Sequence, residues 1–196
     1  SSDYVKGTTT AGDAGSYTVT CVSTSAVATN YTFVDGSTAA LTVSKKDLHI
    51  DVDAKGITYG DAAPGYTFVY RAADFANSEA HDSVSFTSKI VSAPTCSAGY
   101  VQGTTAAGNA GTYAITCPVA GKSATNYNFV DGSSADLTVA KKTLHVDANV
   151  QGITYGGNAP SYTFTYRAGD FANSEAASDL SFTSKITTAP SCSSPY

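Results

Sequence analysis

The chain repeats itself. Residues 1–96 and 97–192 align without a gap, and 60 of the 96 positions are identical. Gly-Ser-Tyr-Thr-Val-Thr-Cys at 15–21 returns as Gly-Thr-Tyr-Ala-Ile-Thr-Cys at 111–117, and Asp-Phe-Ala-Asn-Ser-Glu-Ala at 74–80 returns unchanged at 170–176. Copies this alike adopt one fold, so 196 residues hold two repeat-lengths rather than one large enzyme. A 96-residue period exceeds the roughly 20–50 residues of a solenoid unit. It suits an autonomous sandwich of about 100 residues.

Within one period the apolar residues alternate. Leu48, Ile50 and Val52 interleave with His49, Asp51 and Asp53, and Tyr113 and Ile115 interleave with Thr112, Ala114 and Thr116. Tyr66, Phe68 and Tyr70 form another run, Val84 and Phe86 lead to Ile90, and Leu137 and Val139 close the set. A period of two places one face on a core and one in water. The apolar residues are of the kind that fits a pleated surface, with 13 Tyr, 8 Phe, no Met and no Trp. The reading is all-β: antiparallel, immunoglobulin-like sandwiches of about seven strands, repeated in tandem. Residues 77–83 lack alternation and read as a loop or a single helical turn.

Two domain frames compete. One places units at 1–96 and 97–192. The other places the joints at the lysine pairs Lys45-Lys46 and Lys141-Lys142, where a closing strand meets an opening one. The second is preferred. It makes 46–141 a complete repeat domain, 1–45 the C-terminal half of a preceding one and 142–196 the N-terminal half of the next.

In this frame the order of motifs is specific. Tyr59-Gly60 and Pro64 are followed by Tyr66-Thr67-Phe68, Phe75-Ala76-Asn77 and Gly111-Thr112-Tyr113-Ala114-Ile115. Asn126-Tyr127-Asn128-Phe129, Gly132 and Leu137-Thr138-Val139 complete the series. The sequence resembles the MBG (YGX-type) repeat domain of bacterial surface adhesins. The resemblance implies a module of secreted or wall-attached proteins that serves as stalk or adhesive. Cysteine is the departure from that pattern.

Each copy carries two cysteines, Cys21 and Cys96, then Cys117 and Cys192. An even count in a Ser-, Thr- and Gly-rich β chain reads as disulfides made in an oxidising, extracellular compartment. The preferred frame predicts a local Cys96–Cys117 bridge and leaves Cys21 and Cys192 to partners in an adjacent repeat or a neighbouring chain. The other frame predicts Cys21–Cys96 and Cys117–Cys192. No spacing resembles a zinc site. Asp51 with Asp53 supplies too few oxygens for calcium, and His49 and His145 read as solvated surface. The glycine-rich stretches 11–15 and 107–111 lack a phosphate-binding pattern and read as turns before strands. Some adhesin domains carry a self-formed Lys–Asn amide bond beside a carboxylate; what the resemblance implies is that Lys89 or Lys142 could serve, and the sequence specifies no geometry for it.

With 14% charged residues and a net charge of −5 there is no basic stripe for nucleic acid. No apolar run approaches the about 20 residues of a membrane span. No signal peptide is visible, and the chain reads as an internal excerpt or mature product. No Ser–His elbow or carboxylate cleft is indicated, so the expectation is a non-enzyme without cofactor. Two functions remain. One is a stiff, disulfide-stapled spacer that forms a stalk or filament with adjacent copies, by head-to-tail completion of the split halves. The other is an adhesive array that holds glycans or glycoproteins weakly at each repeat and gains avidity.

Overall fold

A computed structural model describes residues 2–195. Segment 1–45 carries β1 (Gly15–Val19) and β2 (Ala39–Val43). The middle segment carries β3 (Lys46–Val52), β4 (Lys55–Thr58), β5 (Phe68–Tyr70), the helical turn α1 (Val84–Thr87) and β6 (Ile90–Ser92). It continues with β7 (Ser97–Ala98), β8 (Gly111–Thr116), β9 (Ser123–Ala124), β10 (Tyr127–Asp131) and β11 (Ala135–Ala140). Segment 142–196 carries β12 (Val146–Ala148), β13 (Phe164–Tyr166) and α2 (Leu180–Thr183). The class is all-β.

The sheets are β1-β2, β5-β3-β10-β9-β6, β4-β11-β8-β7 and β12-β13. Sheet pairing therefore stays within 1–45, within 46–140 or within 142–196 among these strands. The fully antiparallel scheme expected from the alternation is corrected at two places. β10 runs parallel to β3, with Phe129 opposite Leu48, and β11 runs parallel to β4, with Val139 opposite Ile57. A period of two is common to both senses, so alternation cannot report direction. The direction follows from the long connections that return the chain to each sheet.

The chain forms two compact units, and the middle segment contributes to both. The first holds Ser1–Asp53, Thr67–Ser97 and Thr116–Ala135. Its five-stranded sheet buries Leu48 and Ile50 of β3 and Tyr127 and Phe129 of β10. Phe86 of α1, also buried, meets Tyr70, Phe75 and Tyr127 edge-on at 5.0, 4.9 and 5.8 Å between ring centres. Such pairs add about 0.5–1.5 kcal/mol each beyond area burial. The expected third strand run through Val84 and Phe86 is corrected here: only Ile90–Ser92 is strand. The carbonyl of Ser83 accepts from the amides of Phe86 (3.1 Å) and Thr87 (2.9 Å) and closes a helical turn instead. That turn drives Phe86 inward and leaves Val84 exposed. Cys96 is bridged to Cys117 in this unit, closing a separation of 21 residues.

The second unit holds Ala54–Tyr66, Ala98–Ile115 and Asp136–Tyr196. In its four-stranded sheet Ile115, Leu137 and Val139 are buried. Tyr100 packs edge-on against Tyr113 at 5.5 Å, and its hydroxyl donates to the carbonyl of Asp61 at 2.7 Å. In segment 142–196, Tyr166, Phe171 and Phe182 repeat the contacts of Tyr70, Phe75 and Phe86 at 5.1 and 5.0 Å.

Candidate functional site

The side chains that meet across the segment boundaries form the same seam twice, 96 residues apart. In the first unit, residues 5–14 fold into a tucked loop. The Val5 amide donates to the Ala11 carbonyl at 2.8 Å, and the Tyr17 hydroxyl pins the loop by donating to the Asp13 carbonyl at 2.7 Å. Gly12 is obligatory there, because a Cβ would stand 2.5 Å from the Gly7 carbonyl oxygen. Two long side chains of the middle segment grip this loop. Asn77 Nδ2 donates to the Gly7 carbonyl at 3.0 Å, and Lys89 Nζ donates to the Thr8 carbonyl at 2.8 Å. Asn77 and Ser78 both sit in the left-handed region, at φ 52° and 60°, which asparagine tolerates better than most residues.

In the second unit the loop recurs with Val101 bonded to Ala107 and Tyr113 to Asn109. The grips recur as well: Asn173 Nδ2 donates to the Gly103 carbonyl at 3.1 Å and Lys185 Nζ to the Thr104 carbonyl at 2.8 Å. Here the Tyr-Gly motif joins the seam. Tyr59 donates its hydroxyl to Glu175 Oε2 at 2.8 Å, and the Lys185 ammonium lies 5.8 Å from the Tyr59 ring centre. Burial, more than any other cause, pushes the Tyr59 hydroxyl above its ordinary pKa, and Glu175 adds to it. Gly60 turns with φ +98°, and a Cβ there would stand 2.4 Å from the Cβ of Ala172. Beside them Tyr59, Lys142, Leu144, Ala172 and Glu175 line a cavity of about 110 Å³.

The remaining candidates from the sequence are placed as follows. Cys21 and Cys192 are unbridged within the chain. His49 and His145 are not free surface residues. Each ring Nδ1 meets a carboxylate, Asp74 at 2.7 Å and Asp170 at 2.6 Å, and each backbone amide donates to the same oxygen. Those amides, with the rings, hold Asp74 and Asp170 below the usual carboxylate pKa. Asp51 is engaged by Arg71, whose Nη2 and Nε donate at 2.6 and 3.0 Å, and Asp53 accepts from Thr67 Oγ1 at 2.6 Å. The Arg71 fork, then the Ser133 amide, hold the Asp51 carboxyl far below its ordinary range. Among the described residues no three His, Cys, Asp or Glu are grouped to hold a metal ion. No helix among them is long and apolar enough to cross a membrane. The stretches 11–15 and 107–111, expected to be simple turns, form part of the receiving loop of each seam. Sequence reasoning missed the seam. Its signal was the identity of Asn77 with Asn173 and of Lys89 with Lys185, polar positions that a solvated surface does not require to match.

The buried residues of β3, β10 and β11 lie within a stretch similar to a known module. The MBG domain (YGX type) family matches residues 48–138. No curated protein and no solved structure matches the chain. From the opening strand β3 into the closing strand β11, a little under half of its length, the chain is similar to the MBG domain family of the YGX type.

Proposed function

We propose that this chain is part of a tandem-repeat stalk or fibre of an extracellular surface protein, in which successive repeats are docked on one another and no reaction is catalysed. The family match is consistent with a repeat module of surface proteins, and a disulfide is consistent with an extracellular protein. One observation carries the reading: the same Asn and Lys grips occur at both ends of the middle segment, 96 residues apart. In the preferred frame each grip ties one repeat to the loop of the one before it, which is what a docked array needs. Adjacent copies of the same protein are the partners in this reading.

Small-angle scattering of arrays of one to four repeats tests it. Docked repeats lengthen the particle by a constant step per repeat. Flexibly linked ones grow more slowly than in proportion to repeat number, as flexible chains do, and that result overturns the stalk. Glycan-array binding by the same arrays would favour the adhesive reading, in which each repeat holds a glycan or glycoprotein.

A further inference from the structure

We propose that Lys89 and Asn126 join spontaneously in an amide cross-link, with Asp13 of the preceding segment as the proton-transferring base. The three side chains meet in the first unit. Lys89 Nζ is ion-paired to Asp13 Oδ1, and Asn126 Nδ2 donates to that same oxygen at 2.8 Å. The Ala14 amide donates to Asn126 Oδ1 at 2.7 Å. These two bonds fix which end of the Asn126 amide is nitrogen. The nucleophile and the leaving nitrogen therefore share one carboxylate oxygen, while the carbonyl oxygen of the electrophile rests on an N–H donor. Aminolysis of an amide needs this arrangement: a base between amine and leaving group, and a dipole where negative charge develops. Lys89 and Asp13 are each 15% exposed, so water competes little for them. The backbones are already adjacent, since the Thr125 amide donates to the Lys89 carbonyl at 2.8 Å. That proximity removes much of the entropic barrier.

The step balances without a co-reactant. Asp13 takes a proton from the Lys89 ammonium, and the amine attacks Asn126 Cγ. The Nζ–Cγ bond forms and the Cγ–Nδ2 bond breaks. Asp13 hands its proton to the departing nitrogen and takes one of the two hydrogens left on Nζ, the other staying as the amide N–H. One ammonia leaves, by way of the roughly 210 Å³ cavity that Asn126 lines. The base comes from segment 1–45, so seating that segment triggers a covalent staple in the next. The second seam lacks the device: Asn109 stands where Asp13 does, and the Lys185 ammonium meets the Thr104 carbonyl and the Tyr59 ring instead of a carboxylate. The proposal rests on the seam geometry, not on the stalk reading, and its test reads mass rather than particle length.

Intact-mass measurement of the reduced, denatured chain is expected to show a deficit of one ammonia, and a digest to yield a branched peptide joining Lys89 to Asn126. Asp13→Asn, which copies the natural residue of the second seam, should slow formation by roughly 10²–10⁴-fold with unchanged circular dichroism. The full sequence mass overturns the proposal. So does a deficit of one water with the branch on Asp13, or a loss of ammonia without a branch, which is a succinimide. An undiminished deficit in Asp13→Asn overturns the role given to Asp13.

Discussion

A single methyl group on Gly60 would collide with Ala172, whose Cβ would be 2.4 Å away, and neither backbone can yield without opening the turn. Gly60→Ala is therefore expected to loosen the second seam and expose residues 142–196 to limited proteolysis, while the disulfide-closed first unit stays resistant. Equal resistance of wild type and variant would show that the contact contributes nothing to docking. Charge at single residues sets the pH limits. Asp51 has its pKa depressed by Arg71, and Asp74 by His49. Their contribution is present above the ordinary carboxylate value of 3.8 and is lost as pH falls through the lower folded value. Asp51→Asn should lower the melting temperature at neutral pH and shrink its further fall in acid, measured by circular dichroism. Tyr127 lies on the other side. Burial, then its hydrogen bond to Glu79, pushes it up to about 12 from 10.0. Its contribution is full below pH 10.0 and is lost as pH rises through about 12, so melting curves should fall across that alkaline window.

At the scale of the element, α1 and α2 are the same sequence signal in two settings. Phe86 is 1% exposed because Tyr127 stands beside it within the first unit. Phe182 keeps the contacts to Tyr166 and Phe171 but is only half-buried. Phe86→Ala is expected to cost about 3–5 kcal/mol, and Phe182→Ala clearly less, because the second side chain loses less contact. Equal losses in chemical denaturation would mean that the two turns are equally packed. The bridge between the residue before β7 and the residue after β8 acts through the unfolded chain. Replacing Cys96 and Cys117 together by Ser should remove roughly 3 kcal/mol by the loop-entropy model. An unchanged denaturation midpoint would refute that contribution.

For the whole molecule, the contrast lies between the copies. Tyr127 and Phe129 are 2% and 4% exposed, whereas their counterparts Tyr31 and Phe33 are 79% and 50% exposed. Tyr155, the counterpart of Tyr59, is fully exposed beside Gly156, which keeps the turn at φ +82° with nothing within 4 Å of a Cβ. Tyr127 and Phe129 are covered by β3, Tyr70, Phe75 and Phe86 of the same segment, and Tyr59 by Glu175 and Lys185 of the next; exposed strand edges and apolar faces favour union with such partners. We propose that these faces are covered by a further repeat, of the same polypeptide or of a neighbouring chain; between chains, segment 1–45 of one would complete segment 142–196 of another, head to tail, in a contact that can propagate. Sedimentation should show concentration-dependent association. Under oxidising conditions a peptide joining Cys21 to Cys192 of separate chains should appear. A monomer at all concentrations, with both thiols free, would remove chain-to-chain completion.

The period of 96, the all-β class and the cysteine count were legible in the sequence, because repetition, alternation and composition are local properties of the chain. So was the burial of Leu48, Ile50, Leu137 and Val139, since alternation names the inward face wherever a strand forms. Strand direction was not legible, because β3 and β10 share a period whichever way they run. Nor was the helical turn at Val84–Thr87, where Ser83 offers its carbonyl to two amides and overrides an apolar pattern that fits a strand. The seam was decided by tertiary structure alone. Gly60 meets Ala172, and Lys89 meets Asp13, only when segments far apart in the chain are folded together, and no residue spacing encodes that approach.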